Sequence, residues 1–158
     1  MDALKSGEVG FVYPLGEGVL NVIDRAIEKA DANLENGFKK EYEMCKARAR
    51  GAFDVFRVLA NEEQIKAWGK KIFKAMGSAQ LDLPQMNTGM NLIHGVEGVV
   101  FAALNRSVLA GAENDLESFE KYREEAVGAL GVFDMCSTKE EKAMYRVELL
   151  AAIFPVDG

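Results

Sequence analysis

Apolar residues recur at steps of three and four along most of the chain, which is the period of an α-helix that faces a core. The first such segment starts at about Gly18 and carries Val19, Val22, Ile23, Ala26, Ile27 and Ala30. Similar segments cover about 38–60, 61–77 and 88–109, and two more start at Asn114 and Ser137. After residue 18 almost nothing alternates with the period of two that a strand requires. The pattern predicts an all-α fold, a bundle of six helices.

Local signals at the helix ends agree with this division. Three predicted starts carry a capping residue followed three positions later by Gln or Glu, at Asn61, Asn114 and Ser137. The predicted stops are Gly37, Gly77 and Pro155. For the last helix the spacing predicts an inward face of Ala143, Met144, Val147, Leu150 and Phe154.

The first 18 residues have a different pattern. Glycines and Pro14 interrupt a short apolar stretch, Val9–Leu15, and this punctuation disfavours a helix. The apolar residues in turn disfavour a free tail. We therefore predict one domain over 1–158, with an extended arm over 1–18 and a helical bundle over 19–154. The arm is expected to dock on its own core or on a second copy, which predicts a two-fold dimer.

The composition is that of a globular protein, with 49% hydrophobic and 28% charged residues in a chain of 158. The least polar stretch, Asn91–Ala112, is interrupted by His94, Glu97, Asn105 and Arg106, so we expect no membrane span. The start of the chain lacks the pattern of a signal peptide. Cys45 and Cys136 are expected to be free thiols in a reducing cytoplasm.

Charge is unevenly distributed. The chain is acidic, with a net charge of −6, but residues 38–77 carry ten basic and five acidic side chains. Within that segment Lys66, Lys70 and Lys74 follow at four-residue steps with Lys71 beside them, a candidate anion-binding or interaction patch. A solvated helix edge ranks first, pairing of the basic segment with the acidic C-terminal helices second, and nucleic acid third.

His94 is the only histidine, which excludes zinc and di-iron sites that need two. On a helix, Asn91, His94 and Asn105 fall on one stripe, with Phe101 beside it and Glu97 one turn away. This stripe is a candidate small-molecule pocket, in which amides orient a ligand, His94 and Glu97 transfer a proton and Gly98 leaves room. The preferred alternative is a stripe that faces water or packs closely on a neighbour across Gly98 and Ala102.

The segment Ile65–Ile72 resembles the distal haem helix of vertebrate globins, and the resemblance implies His94 as the proximal haem ligand. Trp68 stands where globins have a histidine and would crowd the iron. The corner phenylalanine and the short-helix proline of globins have no counterpart, and the His94 helix runs on too long. We therefore set haem aside, and the sequence implies no cofactor and no metal.

No catalytic motif, phosphate loop or dinucleotide fingerprint occurs in the chain. The sequence favours a non-enzymatic helical interaction or accessory module, with self-association through the arm. The alternatives are a binding or enzymatic pocket centred on His94, and weak nucleic-acid binding through 38–77.

Overall fold

The structure is a computed structural model that describes residues 13–77 and 91–155. These residues form six α-helices and no strand. The helices are α1 (Leu15–Glu35), α2 (Lys39–Leu59), α3 (Glu62–Ala75), α4 (Leu92–Ala112), α5 (Leu116–Cys136) and α6 (Lys139–Ile153). The predicted all-α bundle is confirmed.

Helices α2 and α5 cross at the centre of the bundle, and two glycines set their separation. A Cβ atom on Gly51 would overlap the backbone carbonyl of Glu125, and one on Gly128 would overlap the backbone carbonyl of Arg48. Each helix thus presents a glycine to the main chain of the other. This contact explains Gly51 in the middle of a helix, where glycine costs about 1 kcal/mol relative to alanine.

The remaining helices pack around that pair. α1 lies against α2, α3 and α5, while α4 lies against α5, α2 and α6. The core between them contains the aromatic side chains of Phe53, Phe56 and Phe133, all fully buried. α4 is therefore a helix at the edge of the bundle, with one side on the core and one side open.

Helix α1 begins at Leu15, so residues 15–18 belong to the bundle and not to the predicted arm. The glycines there serve packing and do not break the helix. A Cβ on Gly16 would overlap the Trp68 side chain, and one on Gly18 would overlap Sγ of Cys136. The predicted arm otherwise falls on residues 1–12, which lie outside the described residues.

Two of the three predicted caps are displaced by one residue. Asn61 caps α3 as predicted, accepting a hydrogen bond from the Gln64 N–H at 2.9 Å. Asn114 does not cap α5: it has φ of 61° and ends α4, because asparagine tolerates the left-handed conformation. The cap of α5 is Asp115, which accepts from the Ser118 N–H at 3.1 Å.

The predicted cap at Ser137 is also off by one position. Thr138 caps α6, with its hydroxyl accepting from the Glu141 N–H at 3.1 Å and its own N–H donating to the Glu141 carboxylate at 2.9 Å. The sequence Ser-Thr-Lys-Glu-Glu contains two overlapping capping boxes, so the spacing alone does not select between them.

The predicted inward face of α6 is wrong. Leu149 and Ile153 are the buried residues of this helix, while Met144 and Val147 are 63% and 75% exposed. Apolar residues occur on two sides of α6, and the helix packs by the narrower stripe. Of the predicted face, Ala143 and Phe154 are also exposed and Leu150 is half-buried.

Candidate interaction surface on the fourth helix

Helix α4 is apolar on both sides. One side packs on the core through Leu92, Val96, Val100 and Ala103, all fully buried. The helix Leu92–Ala112 is long and apolar enough to cross a membrane, with a mean hydropathy of 1.3. However, 44% of its most apolar segment is buried inside the protein. A helix in the core of a globular protein can have the same length and hydropathy, so these two properties are weak evidence for a membrane span.

The opposite side of α4 is open to water, and its single exposed charged residue, Arg106, lies at the margin and pairs with Glu125. We call it the seam face, and its residues are His94, Gly98, Phe101, Ala102, Asn105, Val108, Leu109 and Ala112. Six of them follow at alternating steps of four and three, the spacing of a helix seam that packs on another helix. Phe101 is 47% exposed, and Val108 and Leu109 are 66% and 65% exposed.

The predicted pocket residues lie on or beside this open face. The Asn91 side chain caps α4 by accepting from the His94 N–H at 3.1 Å. His94, Phe101 and Asn105 are exposed, and Glu97 is half-buried at the margin of the face. They share one helix surface as predicted, but none of them lines the grooves described below.

A groove between α2 and α4 borders the seam face. It has a volume of about 270 Å³ and is lined by Asp54, Arg57, Val58, Gly98, Val99, Ala102 and Arg106. A Cβ on Gly98 would meet no neighbouring atom within 4 Å in the part of the chain that the structure describes, so this glycine leaves open space. The volume is just below the roughly 300–1,000 Å³ of small-molecule pockets, and it suits a single large side chain.

The charged residues around this groove are paired within the chain. Oδ1 of Asp54 lies 3.3 Å from Nε of Arg50 and 3.4 Å from Nη1 of Arg57. Nη2 of Arg106 lies 2.9 Å from Oε1 of Glu125 on α5. Burial raises the pKa of the Glu125 carboxyl, and the neighbouring Arg106 partly opposes that shift. The groove therefore presents no unpaired ion that would call for a charged ligand.

A larger and more polar groove separates the first turns of α2 and α5. Its volume is about 610 Å³, and its lining includes Lys39, Leu116 and Glu117. Two ion pairs cross it, Lys40 to Glu120 at 3.0 Å and Lys121 to Glu43 at 4.0 Å. These pairs join the basic segment to the acidic C-terminal part within one chain.

The four lysines of the candidate patch are all exposed on α3. Among residues 13–77 and 91–155, no carboxylate lies within ion-pair distance of any of them. The Lys71 ammonium lies 5.1 Å from the centre of the Trp68 ring. The basic segment is thus divided: its α2 residues Lys40 and Arg48 pair with α5, and its α3 residues face outward.

Both cysteines are free and buried. Burial raises the pKa of the Cys136 thiol to about 12, with a smaller contribution from the negative charge of Glu17. A thiol of that pKa is protonated at neutral pH and is a poor nucleophile. Within the part of the chain that the structure describes, no three His, Cys, Asp or Glu side chains are grouped to hold a metal ion.

Most of the groove residues were missed by the sequence interpretation. The sequence interpretation offers Gly98 either as the residue that leaves room in a pocket or, with Ala102, as a close-packing residue. The contributions of Val58 and Asp54 from α2 depend on a contact between helices that are distant in sequence. Comparison of the chain with protein-family models, with curated proteins and with solved structures finds no match.

Proposed function

We propose that this protein is a non-enzymatic interaction module whose partner binds the seam face of α4 and the groove beside it. The observation that carries the proposal is an exposed, mostly apolar helix face whose residues include no Lys, Arg, Asp or Glu and follow the spacing of helix packing. The other water-facing helix surfaces, such as that of α3, carry charged side chains, as solvated faces usually do.

Energetics support a protein partner for this face. Phe101, Val108 and Leu109 leave about half or more of their accessible area in water. Covering apolar area stabilises a complex by about 25 cal/mol per Å² before the costs of association. Large contiguous apolar patches on the surface of a folded domain are typical of interaction sites.

A protein partner fits this face better than a lipid surface. Helices that lie in the membrane interface flank their apolar side with lysine and arginine. α4 has a single basic residue other than His94, Arg106, and its guanidinium is already paired with Glu125. The side of α4 opposite the seam face is occupied by the protein core.

The proposal is tested by placing a photoreactive phenylalanine analogue at position 101 and irradiating cells that produce the protein. Ala67, exposed on the lysine-bearing α3, is the matched control position. We expect a discrete covalent adduct from position 101 and none of that mass from position 67. If position 101 yields no discrete adduct, or the same adduct as position 67, the seam face is not an interaction surface.

A small-molecule pocket at His94 makes a different prediction. A ligand held there would raise the melting temperature of the wild-type protein, and His94→Ala would abolish that shift. In an interaction module His94→Ala leaves the melting temperature within about 2 °C, because an exposed side chain contributes little to stability.

A further inference from the structure

Phe101 and the groove lie on opposite edges of the seam face. At 100° per residue, Phe101 projects about 60° from Gly98 and about 100° from Ala102 around the helix axis. Along the helix axis, Phe101 lies between Gly98 and Ala102. The same helix thus offers a protruding aromatic side chain on one edge and an open recess on the other, at the same level.

We propose that the partner of the seam face is a second copy of this chain, bound through a two-fold axis parallel to α4. This inference rests on the proposed function. A parallel two-fold axis exchanges the two edges of the face, so it brings each Phe101 to the groove of the other copy without a shift along the helix. An antiparallel pair would instead set Phe101 of each copy on the same edge, away from both grooves.

The groove matches an uncharged aromatic side chain. Val58 and Val99 supply apolar walls, and Gly98 leaves the space unfilled. Arg57 and Arg106 already have carboxylate partners in their own chain. Insertion of Phe101 therefore covers apolar surface without burying an unpaired charge, which would be costly.

Asn105 lies midway between the two edges, so in a parallel pair it faces Asn105 of the second copy. An asparagine amide carries both a donor and an acceptor, so two copies can hydrogen-bond to each other. Asparagine at such a position fixes the register and the number of helices in parallel pairs. The absence of charge on the seam face also lets two chains of net charge −6 approach with little like-charge contact.

Cysteine cross-linking tests this geometry. Asn105→Cys and Ala112→Cys are made singly in the full chain, whose own two thiols are buried. In a parallel pair, the Cα atom at each of these positions lies close to the same atom of the second copy. The separation is near the roughly 4.4–6.8 Å that a disulfide spans. We expect each variant to form a covalent dimer on mild oxidation, and Phe101→Glu in the same chain to lower its yield about tenfold or more.

Ala67→Cys on α3 serves as the control for random collision and is expected to stay monomeric. Cross-linking at only one of positions 105 and 112, as an antiparallel crossing allows, would overturn the proposal, and so would its absence at both. If both cysteines fail while the photoreactive residue at 101 captures a protein of another mass, the second copy is the wrong partner but the interaction module stands. Circular dichroism of each variant checks that the helices are retained.

Discussion

Two sites with glycine on a helix face differ in what lies opposite. At the crossing of α2 and α5, Gly51 and Gly128 each have the main chain of the other helix against them. On α4, a Cβ added to Gly98 would have no atom of residues 13–77 and 91–155 within 4 Å outside its own helix backbone. In the sequence both sites are small residues within an apolar helix, and both suggest close packing. Only the structure separates a contact that is made inside the chain from one that is left open.

The difference assigns opposite roles to the same residue type. A glycine inside a helix is destabilising on its own by about 1 kcal/mol, so at Gly51 the helix crossing must offset that cost. At Gly98 none of the described residues does so. We therefore expect substitutions at the two sites to change stability in opposite directions.

Gly51→Ala has the largest expected effect. Its Cβ would overlap the backbone carbonyl of Glu125, and a main chain cannot rotate away as a side chain can. We expect a loss of about 3 kcal/mol or more in the free energy of unfolding, and a melting temperature lower by about 10 °C. Gly128→Ala should behave alike because it meets the backbone of Arg48. Unchanged chemical denaturation of both variants would remove the glycine crossing from this account.

Gly18→Ala has an intermediate effect, because its new methyl group would meet a side chain and not a backbone. The atom in its way is Sγ of Cys136. We expect a loss of about 1–2 kcal/mol in unfolding free energy. Cys136→Ala in the same chain should recover part of it, and a double-mutant cycle measures that coupling. Strictly additive effects would show that the two groups do not compete for space.

Arg106→Ala removes the partner of Glu125 beside the groove. We expect a loss of about 1 kcal/mol at neutral pH, since the ion pair is only partly exposed. The raised pKa of Glu125 means that the folded chain binds this proton more tightly than the unfolded chain. Protonation of Glu125 therefore favours the folded state. This contribution is complete at pH values below the unfolded-state pKa of Glu125 and is lost as the pH rises through its folded-state pKa. Arg106 pairs with the ionised carboxylate, so the loss of unfolding free energy in Arg106→Ala should shrink as acid protonates Glu125. A loss that does not depend on pH would contradict the pairing.

Gly98→Ala has the smallest expected effect and the opposite sign. Its Cβ enters open space, so the helix propensity of alanine should raise the stability of the separate chain by about 0.5–1 kcal/mol. The same methyl group would narrow the groove. A Gly98→Ala protein that unfolds more easily than the wild type when monomeric would show that this glycine is already packed.

The sequence was sufficient for the six helices, because apolar period and terminal glycines are local signals. The stops at Gly37 and Gly77 have φ of 80° and 77°, as predicted from residue type alone. It was not sufficient where two local choices are equivalent, as with Asn114 and Asp115, or Ser137 and Thr138. In the first pair Asn114 takes the left-handed conformation that ends α4, which leaves Asp115 to cap α5.

Tertiary contacts account for the remaining differences. In the sequence, Gly16 and Gly18 indicate a break in the helix. They lie within α1 instead, where Trp68 and Cys136 occupy the space that a Cβ atom would need. That His94 and Asn105 share one helix surface follows from the helical period, which is a local signal. The groove beside them has no such signal, because Val58 comes from α2 and no spacing in the sequence relates it to Gly98.

Sedimentation equilibrium over a range of concentrations tests most directly whether the seam face holds a second copy. The wild-type chain should rise from its monomer mass of 17.3 kDa toward about twice that value. Phe101→Glu should remain at the monomer mass, whereas Met144→Glu on the exposed side of α6 should associate like the wild type. A wild-type chain that stays monomeric throughout, or a Phe101→Glu variant that associates equally well, would contradict the account.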